Sequence, residues 1–173
     1  MATPIQKKTE LAEVLLALRQ RLVDQNVFPT DAILISMRMN LPFPLRESLY
    51  AIVLPLAQPD DEGTASGAGR FGTVVHGRFN VYVRGQSLAD EAYVDLVALT
   101  DQNIGILRKL HAARNALQGV FLTDADGNHV TTQPIQAKFT NEPRKNYTSP
   151  EWGECMVELE ISYMLNLDIT TDV

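Results

Sequence analysis

The sequence predicts an α+β fold: a central, mostly antiparallel sheet with long strands, packed by an N-terminal helix and by a central helix or helix pair. Two observations predict the long strands, since apolar residues occupy every second position over 73–84 and again over 155–167. A third predicts the helices, since apolar residues recur at helical spacing over 9–24 and over much of 87–117. With 173 residues the chain fits one domain, 1–173, with enough length to bury a core.

The first third of the chain is predicted to contain one helix and two strands. The helix covers 9–24, with Thr9 placed to cap its start, and its apolar face consists of Leu11, Val14, Leu15, Leu18 and Leu22. Residues 32–40 alternate between apolar and polar side chains and predict a strand. The prolines within 41–44 end it, because proline cannot donate to a strand ladder, and 49–58 supply the next strand.

Residues 59–72 predict a long, mobile loop, since they are rich in glycine, small and charged side chains and show no periodicity. Loops of this length within compact domains are uncommon and often become ordered on a partner. The glycines within 67–72 suggest a phosphate cradle, but a strand follows them where such a cradle requires a helix N-terminus. A loop ordered by a partner is therefore the favoured interpretation.

The middle of the chain predicts a strand followed by helix. The strand over 73–84 has an apolar face of Val75, Phe79, Val81 and Val83, and its outer face is basic. The helix covers 87–117, with an interruption near 100–101, and its largely apolar face consists of Val94, Val97, Ile104, Leu107, Leu110, Arg114 and Leu117. Gly119 is placed to end it, since helices often finish at a residue that adopts a positive φ.

The C-terminal part predicts further strands. Short strands are expected at 120–122 and 129–140, on either side of a turn at 124–128, and a second loop is expected at 141–153. The final strand, 155–167, far exceeds the usual length of about 5–6 residues. A strand of this length lies across a broad sheet or extends beyond its own domain to meet another chain.

Composition narrows the classes of function. A net charge of −6 argues against a protein whose main task is coating nucleic acid. One cysteine excludes an intrachain disulfide and gives no indication of an oxidising compartment. The polar N-terminal residues lack the apolar core of a signal peptide, and no stretch has the roughly 18 apolar residues of a membrane span. We therefore expect a protein made and kept in a reducing, aqueous environment.

No motif in the sequence predicts catalysis, a metal or a cofactor. The run 124–128 is similar to the start of a calcium loop, but its glycine precedes the third oxygen ligand and no glutamate occupies the twelfth position. His76, His111, His129 and Cys155 lack the short spacing of zinc ligands, and a cysteine on an apolar strand face is usually a buried thiol. We expect a protein that is not an enzyme.

The predicted strands carry charges of opposite sign. His76, Arg78 and Arg84 form the basic face of one strand, while Glu158 and Glu160 lie on the polar face of the last. The basic face is a possible contact for nucleic acid or an acidic partner. The favoured interpretation is that the acidic face lies across from it in the sheet, because opposite charges on neighbouring strands are common and modestly stabilising.

Taken in order along the chain, several segments resemble the tail terminator, or tail completion, proteins of tailed bacteriophages and related prophages. The resemblance begins with the N-terminal helix, the segment Ile33-Leu-Ile-Ser-Met-Arg-Met-Asn-Leu-Pro, a Gly/Ala-rich insertion and the strand 74–84. It continues through Leu107-Arg-Lys-Leu-His-Ala-Ala-Arg-Asn-Ala-Leu, Gln133-Pro-Ile, Glu142-Pro-Arg, and Trp152-Gly with the terminal strand ending Tyr163-Met-Leu-Asn-Leu-Asp. It spans most of the chain.

The resemblance implies a structural virion protein with an α+β subunit. Such subunits form a ring, commonly a hexamer, that caps the head-proximal end of the tail tube and stops its polymerisation. The implied partners are further copies of the chain, the tail tube protein, the neck or head connector and, in contractile tails, the sheath. Genomic DNA passes through the channel without specific binding, and the implied location is the tail and neck region, with assembly in the host cytoplasm. The family has no catalytic residues to transfer.

We expect the long strands and the 59–72 loop to carry the contacts between subunits and between rings. The candidate contact residues are Asp60, Asp61, Glu62, Arg70, Phe71, His76, Arg78, Arg84, Arg144, Lys145, Glu154, Glu158 and Glu160. One alternative is a neck or head-completion protein that sits one ring higher. Another is a small ligand-binding domain or enzyme that uses the sheet face as a pocket.

Overall fold

A mixed sheet with two helices makes up the part of the chain that the structure, a computed structural model, describes: residues 8–36, 49–56, 74–86, 105–139, 144–146 and 152–165. The elements are, in chain order, β1 (Lys8–Thr9), α1 (Leu11–Asp24), β2 (Ile33–Ile35), β3 (Leu49–Pro55), β4 (Val74–Gln86), α2 (Ile106–Leu117), β5 (Gln136–Phe139), β6 (Arg144–Asn146) and β7 (Trp152–Leu165). A short 3-10 turn, Thr30–Ala32, precedes β2.

The sheet is mostly antiparallel, as the sequence predicts. Its strand order is β1-β7-β4-β3-β2, and β5 and β6 also pair with β7. The pairs β3 with β4, β4 with β7, and β5 and β6 with β7 are antiparallel, while β1 and β2 run parallel to their neighbours. The α+β class with long strands is therefore confirmed.

Strand β7 is an interior strand of this sheet. On one side, residues 152–164 pair with all of β4. On the other side, β6 pairs at 152–154, β5 at 157–160 and β1 at 164–165. Of the two placements open to so long a strand, the structure therefore has the first, in which it lies across a broad sheet.

The helices cover one face of the sheet, which we call the helix face. The odd-numbered residues of β4 and β7 point to it, because side chains alternate along a strand and the register pairs odd positions with odd positions. Its buried residues include Val75, Phe79, Val81, Val83, Cys155, Val157, Leu159, Ile161 and Tyr163. These are the apolar faces that the alternation predicts, so that prediction is confirmed.

Helix α1 buries the predicted face but begins differently. Val14, Leu15, Leu18 and Leu22 are buried. The predicted cap, Thr9, is wrong, because Thr9 belongs to β1 and pairs with β7, and Glu10 precedes the first helical residue. The backbone N–H of Glu10 donates to the carboxylate of Glu13 at 3.0 Å, which satisfies a donor at the helix start.

Helix α2 lies against β7, β4 and β5 and contacts α1. Its buried residues are Ile106, Leu110, Ala113, Ala116 and Leu117. Of the predicted face, Leu107 is partly buried and packs against the core, and Arg114 is partly buried beside the ring of Phe139. Two polar contacts reach towards the first helix: Arg21 Nε donates to the Ala116 carbonyl at 3.0 Å, and Lys109 Nζ to the Val27 carbonyl at 2.5 Å. Gly119 has φ +72°, which confirms its role at the end of the helix.

Several predictions fall partly or wholly outside the described residues. The loop 59–72, the helix over 87–104, the strand positions 37–40 and the break at 41–44 lie there. Within the predicted loop 141–153, residues 144–146 form β6 and 152 begins β7, so that boundary was wrong. Between the helix and β5, a single bridge joins Thr123 to His129 across the predicted turn.

Candidate functional site on the polar face of the sheet

The face of the sheet opposite the helices, which we call the polar face, carries the predicted charged residues. In the register of β4 and β7, Arg84 lies opposite Glu154, Arg78 opposite Glu160, and His76 opposite Ser162. The prediction that the acidic face of the last strand lies across from the basic strand within one subunit is therefore confirmed. Asn80 and Tyr82 lie between Arg78 and Arg84 on the same face.

At one end of the polar face, the charged side chains are buried and paired with each other. Nε and Nη2 of Arg84 donate to Oε2 of Glu154 at 2.9 and 2.5 Å, and the two side chains are only 4% and 2% exposed. Tyr50, opposite Arg84 on β3, is buried as well. Burial raises the pKa of the Tyr50 hydroxyl, and the charge and hydrogen bond of Arg84 offset this only in part. Arg84 and Glu154 thus hold charges inside the subunit.

The predicted basic outer face is correspondingly shorter than the alternation suggests. Asn80, Tyr82 and Arg84 are buried, whereas His76 and Arg78 are exposed. On β4, His76 and Arg78 therefore form the exposed part of the predicted basic face. The end of the polar face formed by His76, Arg78, Gln136, Lys138, Glu160 and Ser162 is called the open patch below.

An ion pair at the rim of the open patch engages Glu160. Lys138 Nζ donates to Oε1 of Glu160 at 2.7 Å, with side-chain exposures of 59% and 37%. The hydrogen bond from Lys138 holds the pKa of the Glu160 carboxyl below its usual range, and the nearby charges of Lys138 and Arg78 act in the same direction. Among the described residues, no carboxylate lies within ion-pair distance of the Arg78 guanidinium.

A histidine and a serine form the other half of the open patch. Nδ1 of His76 and Oγ of Ser162 are 2.7 Å apart, and Ser162 is 9% exposed. Serine and histidine together can activate a hydroxyl nucleophile when a third group orients the imidazole. Within the described ranges His76 has no such third partner, so the arrangement fixes the position of the ring without completing a triad.

A pocket of about 300 Å³ opens between these side chains. Its lining includes His76, Arg78, Glu160 and Ser162, with Gln133 and Gln136 on the β5 side. This volume is at the lower end of the range for small-molecule sites. The pocket therefore has room for a small polar molecule or a single polar side chain.

Three residues of the open patch, Ser162, Lys138 and Gln136, were missed by sequence reasoning. Lys138 and Gln136 reach the patch because β5 pairs with β7, which puts Gln136 opposite Glu160 and Lys138 opposite Glu158. The alternation of Gln136-Ala-Lys-Phe indicates a strand, but a local pattern does not say which strand it pairs with.

The remaining candidate contact residues lie elsewhere. Glu158 is partly buried on the polar face, next to the open patch. Arg144 and Lys145 lie on β6, in register with Glu154 and Gly153 of β7. The other five candidates, Asp60, Asp61, Glu62, Arg70 and Phe71, lie outside the described residues.

The other polar motifs form local structure. The Asp124 carboxylate accepts hydrogen bonds from the backbone N–H groups of Asp126 and Asn128 at 3.0 and 2.8 Å, which closes a turn. The ring of His129 stacks on Phe121 with centroids 4.7 Å apart, and His111 lies 4.7 Å from Phe139. In the described part of the chain, no three His, Cys, Asp or Glu side chains cluster as a metal site would require.

Comparison with known proteins gives no family assignment. No protein-family model matches the chain, and no curated protein matches it. In the residues that the structure describes, neither helix has the length and apolar character needed to cross a bilayer.

Proposed function

We propose that this chain is a tail terminator of a tailed bacteriophage or prophage. In this role it forms a ring, hexameric in the common form of that family, at the head-proximal end of the tail tube. The ring stops polymerisation of the tube and joins it to the neck or head connector, leaving a channel for DNA. It acts as a structural protein of the virion, without chemistry of its own.

The open patch is the observation that carries this proposal. It lies where two segments of the resemblance, β4 and the terminal strand β7, run side by side. At one end of this strand pair, Arg84 and Glu154 form a buried ion pair. At the other end, Arg78 is exposed and has no ion-pair partner among the described residues. A charged surface on the most extensively paired strands of a fold gives a rigid contact for another subunit.

A closed ring also requires two different surfaces on each subunit, because its contacts are heterologous. The described sheet has unlike edges: β2 ends it on one side, and the short strands β1, β5 and β6 follow β7 on the other. The net charge of −6 suits a ring that lets DNA pass without adhering to it. These features support a ring subunit.

The experiment is a capping assay on tail tubes. Tubes assembled from the tail tube protein encoded with this chain are mixed with the purified protein and imaged by electron microscopy. We expect the protein at one end of each tube, and tubes that stop lengthening. In virions that lack the protein, we expect tails of abnormal length. Tails of normal length in such virions would contradict the proposal, and binding only to the connector would identify a neck protein instead.

A matched pair of variants tests whether the open patch takes part. Arg78→Glu reverses the charge in the patch, while Arg108→Glu makes the same change at an exposed position of α2, on the other side of the sheet. We expect Arg78→Glu to lose capping or ring formation and Arg108→Glu to retain both. Equal behaviour of the two variants would remove the patch from the assembly surface.

The pocket supports a second candidate function, a small ligand-binding domain. Its volume of about 300 Å³ and the fixed position of His76 are features of a site for a small polar molecule. This candidate predicts a defined small-molecule ligand and no effect on tube length. The capping assay therefore separates the two functions.

A further inference from the structure

The charges of the open patch do not cancel in pairs. Glu160 lies opposite Arg78 in the register of β4 and β7, yet its Oε1 accepts from Lys138 on β5 at 2.7 Å. Glu158, the next acidic residue along the polar face, does not line the pocket. Arg78 is thus a cation without an ion-pair partner among the described residues, next to a carboxylate that is already engaged.

His76 adds a second donor beside this cation. Its Nδ1 is held by Oγ of Ser162 at 2.7 Å, and Ser162 is 9% exposed. When the serine hydroxyl donates to Nδ1, the imidazole proton is on Nε2. The ring then has an N–H group available to a ligand, and its orientation is fixed before the ligand binds.

Apart from Glu160, the rest of the pocket lining is uncharged, and it includes Gly77 and Ile161. Gln133 and Gln136 contribute amide groups, and Pro134 lies between them in the lining. A guanidinium, an imidazole N–H and amide N–H groups around about 300 Å³ complement a planar group with two acceptor oxygens. A carboxylate has that shape and charge.

We propose that the open patch binds the carboxylate of an Asp or Glu side chain on a partner protein, with Arg78 as its principal contact and His76 beside it. Only the identification of the partner as a neighbouring subunit of the tail or neck rests on the proposed function. An acidic protein segment is favoured over nucleic acid, because stable phosphate-backbone binding uses many cations, whereas the patch offers one unpaired arginine on a chain of net charge −6.

Substitutions in the neighbouring Lys138–Glu160 ion pair should change the affinity for a carboxylate in opposite directions. Glu160→Gln removes the negative charge nearest to Arg78, so we expect a carboxylate to bind about threefold more tightly. Lys138→Gln releases Glu160 to pair with Arg78, so binding weakens. Arg78→Gln removes the principal contact and weakens binding by about tenfold or more. Arg108→Gln, with the same loss of charge on α2, leaves binding unchanged.

The measurement is a titration of the full chain followed by NMR. The probe is the peptide acetyl-Gly-Asp-Asp-Gly-amide, with acetyl-Gly-Asn-Asn-Gly-amide as the uncharged match. We expect the Asp peptide to shift the resonances of His76, Arg78 and Ser162, and the Asn peptide to have little effect. Unchanged thermal unfolding of the Arg78→Gln and Glu160→Gln variants shows that both remain folded.

Each contrary result overturns the inference. Equal binding of the two peptides excludes a carboxylate site. So does a result in which neither Glu160→Gln nor Arg78→Gln changes the affinity for the Asp peptide. If inorganic phosphate binds more tightly than the Asp peptide, and Arg78→Gln weakens that binding, the open patch is a phosphate site instead of a carboxylate site. The capping assay is scored separately: capping without peptide binding overturns only the inference, and peptide binding without capping overturns only the proposed function.

Discussion

Arg84 and Glu154 lie directly opposite each other on the two longest strands, and their ion pair is almost completely buried. Both guanidinium donors of the pair reach the same carboxylate oxygen, at 2.9 and 2.5 Å. Burying two charges carries a large desolvation cost, which their mutual attraction offsets only while both are present. Loss of either partner therefore leaves a buried charge without compensation.

Replacing Glu154 by Gln removes the attraction that offsets the desolvation cost of burying Arg84. The substitution keeps the size of the side chain but leaves the Arg84 charge buried without its carboxylate. We expect the free energy of unfolding to fall by about 3–5 kcal/mol. Urea denaturation of the wild type and of Glu154→Gln, followed by circular dichroism, measures the difference.

The exposed ion pair provides the control for this prediction. Glu160→Gln removes the same kind of carboxylate, but from a pair that solvent reaches, so we expect a loss of less than about 1 kcal/mol. The double substitution Arg84→Met with Glu154→Leu removes both buried charges and recovers much of the loss. If Glu154→Gln and Glu160→Gln cost the same, the buried pair has no special role.

Local sequence patterns predict which helices and strands this fold contains better than they predict where each one begins and ends. The alternation in β4 and β7 is unambiguous, because each strand has one face on the helices. Threonine suits the cap of a helix, but Thr9 belongs to β1, which pairs in parallel with β7. A strand of two residues is too short for its alternation to be detected in the sequence. On α2, the buried residues include Ala113 and Ala116, which the predicted face omits because alanine contributes little to an apolar pattern.

The candidate site depends on contacts that no local pattern contains. Arg78 and Arg84 are the same residue type on the same face of one strand, so the local sequence pattern does not distinguish the exposed arginine from the buried one. Their surroundings differ: Arg84 lies beside the buried Tyr50 of β3, while Arg78 remains exposed. Lys138 reaches Glu160 only because β5 pairs with β7. Long-range pairing therefore decides which predicted charges remain available for contact.

Gly77 is a position where even a methyl group is too large. A Cβ built there would lie 2.7 Å from Cε2 of Phe79, whose ring is 1% exposed in the core. Alanine would gain about 0.5–1 kcal/mol over glycine in backbone entropy, but overpacking costs about 1–3 kcal/mol. We expect Gly77→Ala to lower the free energy of unfolding.

A double-mutant cycle identifies the clash as the cause. Phe79→Leu removes the ring edge that the new methyl group would meet. Measured by urea denaturation, Gly77→Ala should therefore cost less in the Phe79→Leu background than in the wild type. The same cost in both backgrounds would place the effect elsewhere.

The thiol of Cys155 is predicted to be unreactive in the folded protein. Burial, with a smaller effect of the neighbouring Glu154 charge, raises its pKa to about 11, and the side chain is 4% exposed. Because the thiolate is the reactive form, a disulfide reagent such as DTNB should label the native protein about a thousandfold more slowly than the urea-unfolded chain. Gly77→Ala should accelerate the labelling in proportion to its loss of stability. Rapid labelling of the native wild type at neutral pH would contradict a buried thiol.

Protonation of Glu160 at acid pH should remove the stability that its ion pair with Lys138 contributes. Its pKa is lowered in the folded state, chiefly by the hydrogen bond from Lys138, so its contribution is fully present above the unfolded value of 4.5. The contribution is lost as the pH falls through the folded pKa. In urea denaturation, the stability difference between the wild type and Glu160→Gln should therefore be largest at neutral pH and shrink as the pH falls below 4.5. The double substitution Lys138→Gln with Arg78→Gln removes both cations that lower this pKa, so in that background most of the pH dependence should vanish. A difference that stays constant from neutral to acid pH would show that Lys138 does not stabilise the charged carboxylate.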